Sequence, residues 1–309
     1  MARTFHAPDV LVLGAGGVLG EAWMTGVLGG IEEAAGIDFR RCERFVGTSA
    51  GSIVAATLVA GRSPRRPRDL GDPDAPPAAA ASALARGSVS ARRAASLVTM
   101  AAAAPIAPLA LSASTPGGAM MRAGLLSRIP RPTATLGGLH RRVDKSGARF
   151  DGRLRVAAVD RRRGRRVVFG SPGAPSASVG AAVEASCAVP WLYAPVQIGS
   201  REYVDGGVWS ITNLDVAPVS GATQVLCLNP VAGAVDVRSI FGALRAASRS
   251  ATAVEAMSLR RRGASVRTIG PDREAIEAMG GDFMRTGPGD DVLVAGFRQG
   301  QRIAATGRA

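Results

Sequence analysis

Four consecutive apolar residues, Val10–Leu13, run straight into Gly14-Ala15-Gly16-Gly17, and a largely apolar stretch follows. The pattern predicts a buried strand over Asp9–Leu13, a tight turn over Gly14–Gly17 and a helix over Val18–Ala35. It then repeats. Glu43–Val46 reads as a strand, Gly47-Thr48-Ser49-Ala50-Gly51 as a turn, and Ser52 to about Ala60 as a helix. Two strand–turn–helix units in succession predict a parallel sheet with crossover helices. Further along, Leu154–Asp160 and Arg165–Phe169 alternate like a hairpin across Arg161–Gly164. A helix fits Val179–Ala188, a strand Thr223–Leu228, a helix about Arg238–Arg262 and a strand Ser265–Ile269, with helices closing the chain.

Between Gly61 and about Pro132 this order fails. Arg62–Pro77 is rich in Pro, Arg and Asp and reads as an exposed loop. Ala94–Met121 carries no charge but is interrupted by Pro105, Pro108 and Pro116. A membrane span needs about 20 apolar residues in one helix, and alanine supplies little of that drive, so no span is expected. The segment reads either as short helices packed on the core or as a cap that touches lipid. In the second case Arg62, Arg65 and Arg66 would meet anionic headgroups, and Leu97, Val98, Ile106 and Leu109 would meet acyl chains. The expected organisation is one domain over residues 1–309, with 62–132 as a cap or insertion.

Composition sharpens the fold class. Apolar residues make up 47% of the 309 positions, aromatics only 4%, and there are 39 glycines. That mixture suits an α/β layer fold in which small residues let helices sit close on a sheet. The net charge is +14, nearly all from arginine, with Lys145 the lone lysine. The arginines fall in scattered clusters without a recognition motif or interleaved aromatics, so nucleic acid is not an expected partner; an anionic membrane surface is. Cys42, Cys187 and Cys227 show neither disulfide nor metal-ligand spacing and read as buried thiols, and no metal or cofactor is expected. The short apolar run near the N-terminus is a first strand rather than a signal core, which points to the cytoplasm.

Three constellations carry chemistry. Gly47-x-Ser49-x-Gly51 fits a nucleophile elbow, a sharp turn that exposes a serine hydroxyl. In so glycine-rich a chain the pattern alone is weak, but it falls between a strand and a helix, where an elbow belongs. Gly14-x-Gly16-Gly17-x-x-Gly20 is ambiguous. It suits a dinucleotide's pyrophosphate, although the acidic residue wanted at the end of the second strand is replaced by Gly47-Thr48-Ser49. It also suits an oxyanion hole built from N–H groups at a helix N-terminus. The third is Asp205-Gly206-Gly207. Asp-Gly is a common hairpin turn, and Asp151-Gly152 reads as one. Ala185-Ser186-Cys187-Ala188-Val189-Pro190 upstream and Asn213 downstream set Asp205 apart. A Ser–His–Asp triad would need His6 or His140. His6 precedes the first strand and so lies at the wrong edge of the sheet, since five strand residues span roughly 16 Å. His140 sits in an Arg-rich stretch and reads as a surface residue. A serine enzyme here must use a carboxylate.

Taken in order, the glycine turn, GTSAG, ASCAVP with Ala194-Pro195-Val196, and YVDGG resemble the patatin-like phospholipases, from Val10 to about Ala217. The resemblance implies a three-layer α/β/α fold with a mainly parallel sheet, and hydrolysis of phospholipid or other acyl-ester lipid by a Ser–Asp dyad. By position it makes Ser49 the nucleophile and Asp205 the base, with Gly16, Gly17 and Ala50 in the oxyanion hole. Gly14, Gly20, Gly47, Gly51, Gly206 and Gly207 are the motif glycines. Leu19 stands where the family usually has a basic residue, and Leu214 where proline often follows the asparagine. Two other readings are a nucleotide-binding oxidoreductase, resting on the first glycine turn, and a catalytically weak lipid-binding relative, resting on Leu19. An aspartate of ordinary pKa, about 3.9, would be a poor base at neutral pH. Positioning and the oxyanion hole would then supply most of the rate.

Overall fold

The structure is a computed structural model that describes residues 5–70, 116–232, 240–280 and 287–306. Residues 71–115, with Leu97, Val98, Ile106 and Leu109, lie outside the described residues.

The sheet is built around Val10–Leu13 (β1), buried at every position, as a strand covered on both faces should be. Arg44–Thr48 (β2) lies parallel to β1 on one side; Gln224–Leu228 (β7) and then Ser265–Ile269 (β8) lie parallel on the other. Leu154–Asp160 (β3) continues the parallel run beyond β2. At β3 the sense changes. Arg165–Phe169 (β4) and Arg201–Asp205 (β6) both pair with it antiparallel, and Val196–Ile198 (β5) adds to β6.

The registers on β3 fix something the order alone does not. Its residues 154–157 pair with β2, 156–160 with β4, and 158–160 with β6. A strand has two edges, and β4 overlaps both other partners, so β2 and β6 must share the edge opposite β4. They run toward each other along it. β2 ends with Thr48 opposite Ala157, and β6 ends with Asp205 opposite Ala158. The chain ends that carry Ser49 and Asp205 therefore meet head-on.

Eight helices complete the described layers: α1 (Gly17–Ala35), α2 (Ala50–Val59), α3 (Pro116–Arg128), α4 (Gly137–Lys145), α5 (Val179–Cys187), α6 (Ile240–Arg261), α7 (Arg273–Met279) and α8 (Gly289–Thr306). One face of the sheet is covered by α1, α2 and α5 through Trp23, Leu28, Ile53, Val156 and Val183, and α8 packs on α1, with Leu293 against Gly26. The other packs on α6 through Ala256 and Leu259 against Val10, Val12, Val225 and Cys227. This is the expected three-layer α/β/α arrangement. Cys42, Cys187 and Cys227 are free and buried, as expected.

Several details differ from the sequence reading. β2 runs on to Thr48 and α2 starts at Ala50, leaving Ser49 alone at the turn. Asp151-Gly152 is not a hairpin but a bend into β3, with the Arg153 N–H donating to Asp151 Oδ1 at 3.0 Å. His140 is not a plain surface residue: its ring nitrogens lie 2.9 Å from Glu184 and 3.0 Å from Asp144, pinning α4 to α5. Arg66 does not face outward toward headgroups. It pairs at 3.5 Å with buried Glu32. Near the end of the 62–132 segment, α3 docks through Leu126 on Val159 and Val204, leaving Met120, Met121 and Leu125 exposed.

Small residues bring helices close to each other rather than only to the sheet. A Cβ on Gly30 of α1 would strike the Phe297 carbonyl of α8, and one on Gly300 would strike the Val27 carbonyl. Gly30→Ala should therefore lower stability by about 1–3 kcal/mol. Gly124→Ala, in a helix where the new Cβ meets nothing within 4 Å, should be neutral or slightly stabilising. Thermal melts of the two variants check the contrast.

Candidate active site

Ser49 sits at φ 51°, ψ −121°, a backbone conformation that L-residues avoid. Such strain, of order 1–3 kcal/mol, persists only when the surroundings over-determine it. Here they do. Gly47 lies against the backbone of Gly51 and Ser52, and Gly51 against the Leu13 carbonyl, so close that a Cβ at either position would overlap main chain. The Ser49 N–H donates to Ser186 Oγ at 2.8 Å, Ser186 Oγ donates to the Ala157 carbonyl at 2.7 Å, and Ser52 Oγ donates to the Ser49 carbonyl at 2.6 Å. Strand β3 thus holds the turn through Ser186.

Asp205 is reached through the same segment, its N–H donating to the Ala188 carbonyl at 3.0 Å. Its Oδ1 accepts the Gly207 N–H at 2.6 Å. The Ser49 hydroxyl lies within hydrogen-bonding reach of the carboxyl. Both side chains are buried, with residue exposures of 7% for Ser49 and 4% for Asp205. Burial pushes the Asp205 pKa up to about 7, against the opposing pull of the bonds from Ser49 and Gly207. Burial, then the charge of Asp205, pushes the neighbouring Cys187 thiol well up, leaving it neutral.

The glycine turn closes over this pair. Gly51 N–H donates to the Gly14 carbonyl at 3.2 Å, and Ala15 N–H to the Ile211 carbonyl at 2.8 Å. A Cβ on Gly207 would lie 3.5 Å from that of Ala15 and 3.0 Å from Asp205 Oδ1. The N–H groups of Gly16, Gly17 and Ala50 have no acceptor among the described residues, and they belong to the N-termini of α1 and α2. Two helix N-termini with unpaired donors, beside a buried hydroxyl, can hold a negative charge. Gly20 packs on Pro230, as does Gly16. Leu19 is fully buried in the core.

Behind the pair lies a polar frame of which only Asn213 was marked out by the sequence. Asn213 Nδ2 donates to Thr48 Oγ1 at 3.0 Å and to the Gly206 carbonyl at 3.3 Å, so it ties the neighbours of Ser49 and Asp205 together. Buried Glu255 holds the loop that carries it, accepting from Ser210 Oγ at 2.5 Å, Thr212 Oγ1 at 2.6 Å and the Leu214 N–H at 2.9 Å. Leu214 itself is buried under α6. Glu255 is a lone acid in a helical pattern, and no sequence signal marks it. Neither histidine joins the site: His6 is exposed ahead of β1, and His140 is engaged by Glu184 and Asp144.

The family described as patatin-like phospholipase matches residues 11–218, which include Gly14–Gly20, Ser49 and Asp205. No curated protein matches. A crystal structure of VipD from Legionella pneumophila is similar at 14% identity and a TM-score of 0.44, over 97% of this chain and 67% of that one.

The raised pKa of Asp205 has a thermodynamic consequence. In the unfolded chain the carboxyl ionises near its ordinary 3.8, in the fold near 7. Its contribution to stability is therefore complete below the lower value and is lost as pH rises toward the upper one. Asp205→Asn, which keeps shape and an acceptor but cannot ionise, should gain on the wild type between pH 4 and 8, by a few kcal/mol at most. Melting temperatures across that range check it; a constant difference would mean an ordinary carboxyl.

Proposed function

The chain belongs to the patatin-like phospholipase family, and from that premise we propose that it cleaves carboxylic esters of lipids through an acyl-enzyme on Ser49, with Asp205 as general base. The family's members are lipid acyl hydrolases. The observation that carries the finer reading is the Ser49 hydroxyl within reach of a carboxylate whose pKa burial has lifted to about 7. A base works best with a pKa near the working pH, so this carboxylate meets the requirement that an ordinary aspartate misses.

In the proposed reaction Asp205 takes the Ser49 proton as Oγ attacks the ester carbonyl. The oxyanion of the tetrahedral intermediate is held by the N–H groups of Gly16, Gly17 and Ala50. Collapse expels the alcohol, which takes the proton from Asp205 and leaves an acyl-serine. Water then repeats the sequence, giving its proton to Asp205, and the acid departs as Ser49 recovers its proton. The positive φ at Ser49 supports this reading, because it projects the hydroxyl out of the turn. The exposed apolar side chains of α3, Met120, Met121 and Leu125, offer contact to lipid on the helix that docks through Leu126 on Val159 and Val204. The dinucleotide reading of the glycine turn loses its ground, since the family match covers that turn. The lipid-binding-only reading rested on Leu19, which is packed in the core.

Ser49→Ala and Asp205→Asn should each lower kcat on a short-chain nitrophenyl ester by about 10³-fold or more, with circular dichroism unchanged. The double variant should be no worse than either alone, because the two act as a unit. Multiplying losses, or full activity in either folded variant, would end the assignment. Gly16→Ala brings a Cβ to 2.6 Å from Pro230 Cβ and 2.9 Å from Gly20 Cα. The loop must shift, and kcat should fall by about 10²-fold, the usual loss for one oxyanion donor.

A further inference from the structure

A cavity lies away from Ser49. It has a volume of about 900 Å³ and opens at the N-terminal ends of β1–β3, where Val10, Arg44 and Arg155 line it. Arg44 precedes Ser49 by five residues along β2, roughly 16 Å of strand. Its charged lining is lopsided: Arg44, Arg155, Arg166, Arg201 and Arg262 against Glu43 and Asp215.

Only one of these cations is neutralised by a carboxylate among the described residues. Arg166 forms a two-pronged pair with Asp215 at 2.6 and 2.7 Å. Arg155 donates to the Val216 carbonyl at 2.7 Å, Arg262 to the Val219 carbonyl at 3.4 Å, and Arg44 to the Glu43 carbonyl at 2.8 Å. Each guanidinium has five N–H donors, so most donors in the cavity stay unused. Arg155 is half-buried, and burial followed by the charge of Arg44 lowers its pKa. Arg44 and Arg262 stand exposed at the rim beside half-buried Arg155, and like charges gathered around one cavity set up a positive potential that favours an anion.

We propose that this cavity binds a phosphate-bearing anion, gripped by Arg44, Arg155 and Arg262. Planar forks matched to phosphate oxygens favour that group over chloride. The phosphate could be free or carried on a lipid headgroup, and the test separates the two.

Inorganic pyrophosphate should stabilise the protein saturably in calorimetric titration and thermal melts, at an ionic strength held constant with sodium chloride. Arg155→Gln should weaken binding about ten-fold or more, and Arg262→Gln, on the exposed rim, should do likewise without risk to the fold. Ser49→Ala protein should bind as the wild type does, so the result stands or falls apart from the hydrolase reading. Flotation with phosphatidic-acid vesicles, against phosphatidylcholine vesicles, reports the lipid source; if it is used, both arginine variants lose flotation. The proposal is overturned if neither pyrophosphate nor phosphatidic acid binds beyond the chloride and phosphatidylcholine controls. It is equally overturned if the arginine variants bind both as tightly as the wild type.

Discussion

The edge of one strand organises the site. Strand β3 offers residues 154–157 to β2 and residues 158–160 to β6 along the same side, because β4 occupies the other. Two strands arriving from opposite directions must stop where they meet, and each ends on a residue that matters. Thr48 lies opposite Ala157 and Asp205 opposite Ala158, so Ser49 and Asp205 are brought together by backbone register before any side chain acts. Ser186 reinforces the junction from α5, accepting from Ser49 and donating to Ala157. The mixed sense of the sheet is therefore the constraint from which the site follows.

Electrostatics completes what register begins. The meeting point is interior, so Asp205 loses its water and its carboxyl is pushed up to about 7. In the proposed mechanism, the same burial that makes ionisation costly suits the carboxylate to act as a base near neutral pH. The unpaired N–H groups at the starts of α1 and α2 offer positive potential, which the proposed mechanism uses to hold the oxyanion. Strain at Ser49, a destabilised Asp205 and unsatisfied donors each cost stability. The frame of Asn213 and Glu255 holds them in place.

Much of this was legible in the chain itself. Period and punctuation located β1, β3, β4, β8 and the first two crossover units, because apolar runs ending in glycine turns leave few alternatives. The motif order gave the family that the comparison bears out over residues 11–218. What stayed hidden is long-range. Nothing in YVDGG says that β6 runs against β2 along a shared edge, or that Asp205 titrates far from 3.9; both depend on what packs around it. Glu255 and Ser186 act through partners 41–45 and 29–137 residues away. Arg66, read as facing a membrane, turns inward because Glu32, buried on α1, needs a cation. Sequence proximity to a charge-free stretch could not reveal that partner.

The central claim is that Ser49 owes its nucleophilicity to a buried Asp205 that titrates near neutrality. The most direct measurement is the rate of covalent labelling by a fluorophosphonate as a function of pH, with the modified residue mapped by mass spectrometry. The account predicts modification at Ser49, with a rate that rises through one ionisation near pH 7 and becomes slow and free of that step in Asp205→Asn. Labelling at another residue, or the same ionisation persisting in Asp205→Asn, would contradict it.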